Sequence, residues 1–245
     1  MPVPRSSLIL STPAIYPRAV ARPRDGLVSS QRGNDVSENS RAFIQCLYGF
    51  DAVVRRTRGD QWTNQSPCEK WDARAVVDHV VFACVMIGGL AQGRDTAVPR
   101  TDDDGLSPAM IEGHSIAPWI SADMRAIDRS GDPQVWWGEQ FAILLERLDT
   151  QGALHNPAKS MWGHTDLDGF LQFGLHDPLC HTWDLATAVG QEPHLDEELC
   201  ARALENIEHE TDRMHRKWVL GPALDVDPGA PSSVQLLRFC GREAA

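Results

Sequence analysis

The chain has 245 residues, 42% hydrophobic and 23% charged, enough to bury a core without disulfide or metal staples as one domain or one domain with an appendage. Its net charge of −11 and pI near 5.2 exclude the basic face that a nucleic acid or an anionic membrane surface requires. Six cysteines, at 46, 68, 84, 180, 200 and 240, form no C-x-x-C pair, so reduced thiols in a cytoplasmic protein are expected rather than a zinc ribbon or a secreted disulfide scaffold.

Residues 1–35 are rich in Pro and Ser and carry Arg5, Arg18, Arg22 and Arg24 with no acid before Asp25. The apolar run Leu8-Ile9-Leu10 is too short for a signal peptide. The expectation is a disordered leader, or a start codon placed too early, ahead of a folded domain at 36–245. Ser37-Glu38-Asn39-Ser40 reads as a helix start, and Phe43, Leu47, Phe50 and Val54 then recur at helical spacing until Gly59 and the polar run through Pro67 end it. Asp72 caps a second helix with core stripe Val76, Val80, Ala83 and Ile87, and Gly88-Gly89 begins its end. The stretch 80–87 is apolar all round, so this helix is expected to be central and buried. That stretch is far shorter than the ~20 residues of a membrane span.

Residues 93–131, with the acidic run Asp102-Asp103-Asp104, read as a long irregular connection that is either a lid or a holder of short helices. Asp132-Pro133 opens a third helix with stripe Trp137, Phe141, Leu144 and Leu148, closed by Gly152. A fourth helical region spans 165–189 and ends at Gly190; a fifth, opening near Leu195-Asp196, carries Leu199, Ala203 and Ile207. The segment 220–231 is Pro/Gly-rich, and 234–239 forms a short helix. No alternating strand pattern or hairpin signal is present. The expected class is all-α, most simply an up-and-down four-helix bundle with an extra helix and a short C-terminal extension.

The nine histidines raise the question of a metal. His79 lies in the stripe of Val76, Ala83 and Met86. Taken alone it reads as a hydrogen-bonded core histidine, because a buried polar group without a partner costs roughly 1–3 kcal/mol. The run 175–184 changes that. Asp177 and His181 are four apart and share a helix face, so a carboxylate and an imidazole can grip one ion from one helix. His79 is placed to supply a third ligand from a facing helix, as bundle metal sites are commonly built. Two nitrogens and an oxygen suit Zn²⁺, with Ni²⁺ or Fe²⁺ as alternatives.

Pro178 complicates Asp177, because it removes a backbone donor and disfavours helical geometry before it. Asp177 is either the N-cap of a helix starting at Pro178 or a ligand on one long helix kinked there, with Gly174 relieving the clash; His176 is the substitute ligand. Asp184, three residues after His181, is a candidate acceptor that orients the imidazole, a general base near the metal, or a polar residue bonding across the bundle. His209 with Asp212 sits among Glu205, Glu208, Glu210 and Arg213 and reads as a solvated face. Cys68 and Cys180 read as structural: no His or Asp is tied to Cys68 by sequence, and Cys180 points about a hundred degrees away from His181 on a helix. Nucleophile-elbow, H-E-x-x-H, phosphate-loop and dinucleotide motifs do not occur.

Trp62, then Ser66-Pro67-Cys68-Glu69-Lys70-Trp71-Asp72 and Val77-Asp78-His79-Val80, resemble the W…PTPC..W…L..H signature of the DinB-like superfamily in its mycothiol-dependent maleylpyruvate isomerase branch. Asp177-x-x-x-His181-Thr182-Trp183-Asp184-Leu185-Ala186-x-x-x-Gly190 resembles the H-x-W-D-L-A…G block of actinobacterial members. Gly221-Pro222-Ala223-Leu224 and 236–242 resemble their tail. The resemblance spans roughly 37–242. It implies a four-helix bundle with metal ligands at His79, Asp177 and His181, where many relatives have Glu in place of Asp177. Characterised relatives are often thiol-dependent transferases or isomerases using mycothiol or bacillithiol, and the leader and the 93–131 loop depart from their pattern. What the resemblance implies is therefore a metal, a low-molecular-weight thiol and an electrophilic small-molecule substrate; the acidic composition argues against a nucleic-acid or membrane partner, and a monomer or homodimer is expected. The alternatives are a hydrolase or lyase using metal-activated water, and a non-catalytic bundle holding an apolar ligand among some of the eight tryptophans.

Overall fold

Side-chain caps set where five of the helices begin. In the computed structural model, which describes residues 36–94, 118–160, 163–210 and 220–244, Ser37 accepts the Ser40 amide and opens α1 (Glu38–Arg56). Asp72 accepts the Ala75 amide and opens α2 (Ala73–Ala91). Asp132 accepts the Gln134 amide and, with Pro133 at the first turn, opens α4 (Pro133–Leu148), which follows α3 (Pro118–Ala126). Asp166 opens α5 (Leu167–Phe173), and Asp196 opens α7 (Glu197–Ile207). Between α5 and α7 lies α6 (His176–Val189), and α8 (Ser232–Phe239) closes the order. An Asn, Asp or Ser cap of this kind contributes typically about 1 kcal/mol by satisfying amides the first turn leaves free.

The expected stripes meet in one core. Phe43, Leu47, Phe50 and Val54 of α1, Val76, Val80 and Ile87 of α2, and Trp137, Phe141 and Leu144 of α4 are all buried. α2 packs against α4 and α6, and α1 against α6, α5 and α4, while α7 packs against α8, α5 and α6. Asp51 is a buried polar exception, satisfied by Trp137 Nε1 at 2.9 Å and Arg55 Nε at 2.6 Å. By length and composition α2, with 19 residues, is apolar enough to cross a membrane, more so than the stretch 80–87 alone indicates, but most of it is buried inside the protein.

The chain departs from the sequence expectations in three places. Gly88-Gly89 does not begin the end of α2, which runs on to Ala91; a Cβ on Gly89 would strike the Trp119 ring, and one on Gly88 would meet the Arg147 guanidinium. These glycines serve close packing rather than termination. The region 165–189 is not one helix. Gly174 ends α5 and α6 restarts at His176. A two-stranded antiparallel sheet precedes it, β1 (Pro157–Ser160) with β2 (Gly163–Asp166), pairing Pro157 with Asp166 and Ser160 with Gly163. Four-residue strands that bury only Ala158 among their described side chains carry no period-two apolar signal to read. In the 93–131 connection the short-helix alternative forms in part, as α3; residues 95–117, with Asp102, Asp103 and Asp104, and the expected leader at 1–35 lie outside the described residues.

The C-terminal turn depends on two glycines. Cys240 caps α8, and Gly241 turns left-handed at φ 81° so that the Arg242 amide bonds back to the Leu237 carbonyl at 2.8 Å. A Cβ on Gly241 would lie 2.8 Å from Gly221 Cα, backbone that cannot swing aside. Gly241→Ala is expected to cost about 2 kcal/mol and lower Tm by roughly 4–8 °C in a thermal melt. An unchanged melting temperature would show that the two segments do not depend on this contact.

Candidate metal centre

α6 carries the polar stripe that faces α2. Its first turn holds Asp177 with no side-chain bond to the helix's own amides, so the N-cap alternative is not what forms. Pro178 also lies in the first turn, where its missing amide hydrogen has no helical acceptor to lose. The Asp177 carboxylate is therefore free to turn towards α2. Its Oδ1 lies 3.2 Å from His79 Nε2 and 3.5 Å from His181 Nε2. The two imidazole rings are 4.6 Å apart at 65°, and one ligand atom from each of the three residues falls within 4.8 Å of the others.

Behind this cluster stands a second layer. Asp184, fully buried, takes a hydrogen bond from His181 Nδ1 at 2.9 Å. Arg242 forks onto the same carboxylate, Nη2 to Oδ2 at 2.8 Å and Nε to Oδ1 at 3.3 Å. The Cys68 thiol donates to Asp184 Oδ2 at 3.3 Å. Trp71 lies over both imidazoles, its ring 4.9 Å from that of His79 and 5.6 Å from that of His181.

Cys68 and Trp71 come from a loop that fixes itself. Gln65 Nε2 reaches the carbonyls of Ser66, Cys68, Glu69 and Trp71, and Ser66 Oγ donates to Trp71 O at 2.7 Å. A loop cross-bonded in this way presents its side chains in one arrangement before any ligand arrives.

Burial alone would lower the pKa of His181, but the Asp177 carboxylate and the bonds to Asp177 and Asp184 raise it well above its ordinary value. Burial would raise Asp177, yet the imidazoles of His79 and His181 hold it well below the usual carboxylate range. Burial likewise works against ionised Asp184, but the bond from His181 and the Arg242 charge hold it ionised far into acid. His176 does not join the cluster: its Nδ1 bonds the Phe173 carbonyl at 2.8 Å, and burial pushes its pKa down. His209 is largely exposed and near Glu208, while Asp212 lies outside the described residues. Cys180 is buried beside Cys240, and the hydrogen bond between the two thiols, with burial, pushes its pKa up.

The model of the mycothiol maleylpyruvate isomerase N-terminal domain family matches residues 45–186. The chain belongs to this DinB-like family. The family is associated with a metal and with mycothiol, and the matched span contains Cys68, Trp71, His79, Asp177, His181 and Asp184. Arg242 lies beyond it. Two uncharacterised proteins from two strains of Mycobacterium tuberculosis, MT0763 and Rv0738, are each 25% identical over 180 residues, 74% of this chain and 76% of theirs. No solved structure matches the chain.

Sequence reasoning about the site missed three neighbours. Cys68, read as structural, and Trp71 sit inside the quoted W…PTPC..W motif, so that motif was the available signal. Arg242 was visible only as the last residue of a tail pattern.

These charges predict how stability of the metal-free protein depends on pH. The interactions of His181, whose folded pKa is raised, are present in full below its ordinary value near 6.5 and fade as pH rises through the raised value. Those of Asp177 and Asp184, whose folded pKa values are lowered, are present above about 4 and fade as pH falls through the lowered values. Chelator-treated protein should therefore have its highest urea midpoint between roughly pH 4 and 6.5. His181→Gln should flatten the decline on the alkaline side; a wild-type midpoint that climbs steadily from about pH 6 to 9 would contradict this assignment.

Proposed function

We propose that α1, α2, α4 and α6 form the up-and-down four-helix bundle of this family and that His79, Asp177 and His181 hold one divalent ion for a thiol-dependent S-transferase or isomerase, with mycothiol as the thiol and an electrophilic small molecule as substrate. The observation that carries this reading is the meeting of two imidazole nitrogens on one carboxylate oxygen, from helices 98 residues apart in the chain. The spacing suits an ion. Ligand atoms bonded at about 2.1 Å to a tetrahedral centre stand about 3.4 Å from one another, and the two separations from Asp177 Oδ1 are 3.2 and 3.5 Å. The donor set of two nitrogens and one oxygen favours Zn²⁺. A bound ion with an open position supplies Lewis acidity that favours the thiolate form of a thiol placed there.

The chain's own residues do the rest. Asp184 accepts from His181 Nδ1 and so directs Nε2 towards Asp177, the carboxylate–histidine pairing that orients metal-binding imidazoles. With its oxygens engaged by His181, Arg242 and Cys68, Asp184 is a positioning residue in this reading rather than a general base. Trp71 covers both rings and keeps water from that side. Asp177, with 29% of its side chain exposed, marks the face open to a ligand. A cytoplasmic location, where low-molecular-weight thiols are kept reduced, goes with this reading.

Metal analysis of untagged protein tests it. Wild type should carry close to one equivalent; His79→Ala and His181→Ala should lose it with their circular dichroism unchanged, and Asp184→Asn should bind some 10–100-fold more weakly. Metal-loaded wild type should conjugate or isomerise electrophiles only when mycothiol is added. Less than about a tenth of an equivalent of any divalent transition metal would overturn the metal assignment and leave the non-catalytic bundle. Turnover that proceeds equally well without thiol would replace the transferase with a hydrolase or lyase.

A further inference from the structure

His181 belongs to two donor sets at once. Besides His79, Asp177 and His181, the atoms of Cys68, His181 and Asp184 also fall within 4.8 Å of one another. The sets use opposite edges of one ring, since Nε2 faces Asp177 and Nδ1 faces Asp184. On donor chemistry alone the second set should compete well for zinc, because it offers a thiol sulfur as well as a nitrogen and an oxygen.

What separates the sets is a fixed charge. Arg242 Nη2 stands 2.8 Å from Asp184 Oδ2 and 3.9 Å from Cys68 Sγ, while Nε lies 3.3 Å from Oδ1. The guanidinium does not lose its proton in a protein. Asp184 Oδ2 and Cys68 Sγ are 3.3 Å apart, so an ion bonded to both would need lone pairs already engaged by Arg242 and would sit against a like charge. Asp177 Oδ1, by contrast, faces two imidazoles whose nitrogens can give up a proton to accept an ion. The backbone holds Arg242 in place: Nη1 bonds the Cys240 carbonyl at 2.8 Å, and the left-handed Gly241 turns the chain back towards α6.

We propose that Arg242 is the residue that decides which donor set takes the ion: its guanidinium fills the cation position of the Cys68/His181/Asp184 set, confines a divalent ion to His79/Asp177/His181 and keeps the Cys68 sulfur off the metal. This rests on the metal assignment above and extends it to a residue outside the matched family span. A guanidinium that only neutralised Asp184 could be lost with no change in the ligands offered to the ion. A guanidinium that blocks a site must, when removed, open that site.

Cobalt(II) serves as the probe, because a cobalt–thiolate bond adds a near-ultraviolet charge-transfer absorption that nitrogen and oxygen ligands lack. His79 belongs to the first set alone and Cys68 to the second alone, so Arg242→Met/His79→Ala isolates the second set. Wild type should bind cobalt without the sulfur absorption. Arg242→Met and Arg242→Met/His79→Ala should both gain it, and adding Cys68→Ser should abolish it. Arg242→Gln, followed with circular dichroism, repeats the series should the methionine variant fold poorly.

A sulfur absorption already present in wild type overturns the proposal, because Arg242 then does not exclude the ion. Its absence from the folded Arg242 variants also overturns it, whether or not wild type binds cobalt. If wild type binds no cobalt while Arg242→Met/His79→Ala gains the absorption, the first-set assignment fails and the blocking role of Arg242 stands.

Discussion

One imidazole held between two carboxylates anchors the polar cluster between α2 and α6. His181 gives its Nδ1 side to Asp184 and turns Nε2 to Asp177, and the spacing of three residues forward and four back lets one helix face supply both partners. α6 is well suited to this. It begins at His176, so Asp177 sits in the first turn, where the free amides and the helix dipole favour a negative charge. A helix running unbroken from α5 would have placed Asp177 mid-helix, with Pro178 costing a hydrogen bond and clashing with the turn before it. The break at Gly174 is therefore part of how the cluster forms.

A carboxylate with no exposure is costly unless paired, and removing one partner of such a group typically costs about 3–5 kcal/mol because the charge left behind is uncompensated. Asp184 is in that position. Its cationic partners come from different places: His181 from its own helix, Arg242 from the turn after α8. The tail is consequently tied to the polar cluster even though the family match stops at residue 186. The close approach of Gly241 to Gly221 and the packing of α8 on α7 and α6 put a guanidinium at one oxygen pair. A fault there would be felt at His181, through Asp184.

Much of this was legible in the sequence, and what was not has definite causes. Ser37, Asp72, Asp132 and Asp196 announce their helices because capping is local: the side chain bonds amides two or three residues away. The pairing of Asp177 with His181 is local in the same sense. His79 could be placed only by supposing that α2 faces α6, which its apolar stripe supports without specifying the register. The short hairpin was hidden because it buries too little to leave an alternating pattern. Gly88 and Gly89 were read as terminators because a glycine's need for close packing looks, in sequence, the same as its tendency to end a helix. Cys68 and Arg242 meet Asp184 across 116 and 58 residues, separations at which no local rule operates.

The position of His79 shows how these long-range choices fit together. α2 is so apolar that an imidazole within it needs cover on every side. Trp71 lies just ahead of the Asp72 cap, so the same local bonds that start the helix also fix the indole near a ring two turns further on. Asp177 satisfies Nε2 from across the helix interface, while Nδ1 is buried without a hydrogen-bond partner. An imidazole partnered on only one edge pays for its burial through the interaction at that edge, which in a poorly solvated setting is stronger than it would be in water. The cluster thus sits where the strongly apolar α2 meets the polar stripe of α6, an arrangement that gives His79 a partner while Asp177 keeps part of its carboxylate exposed.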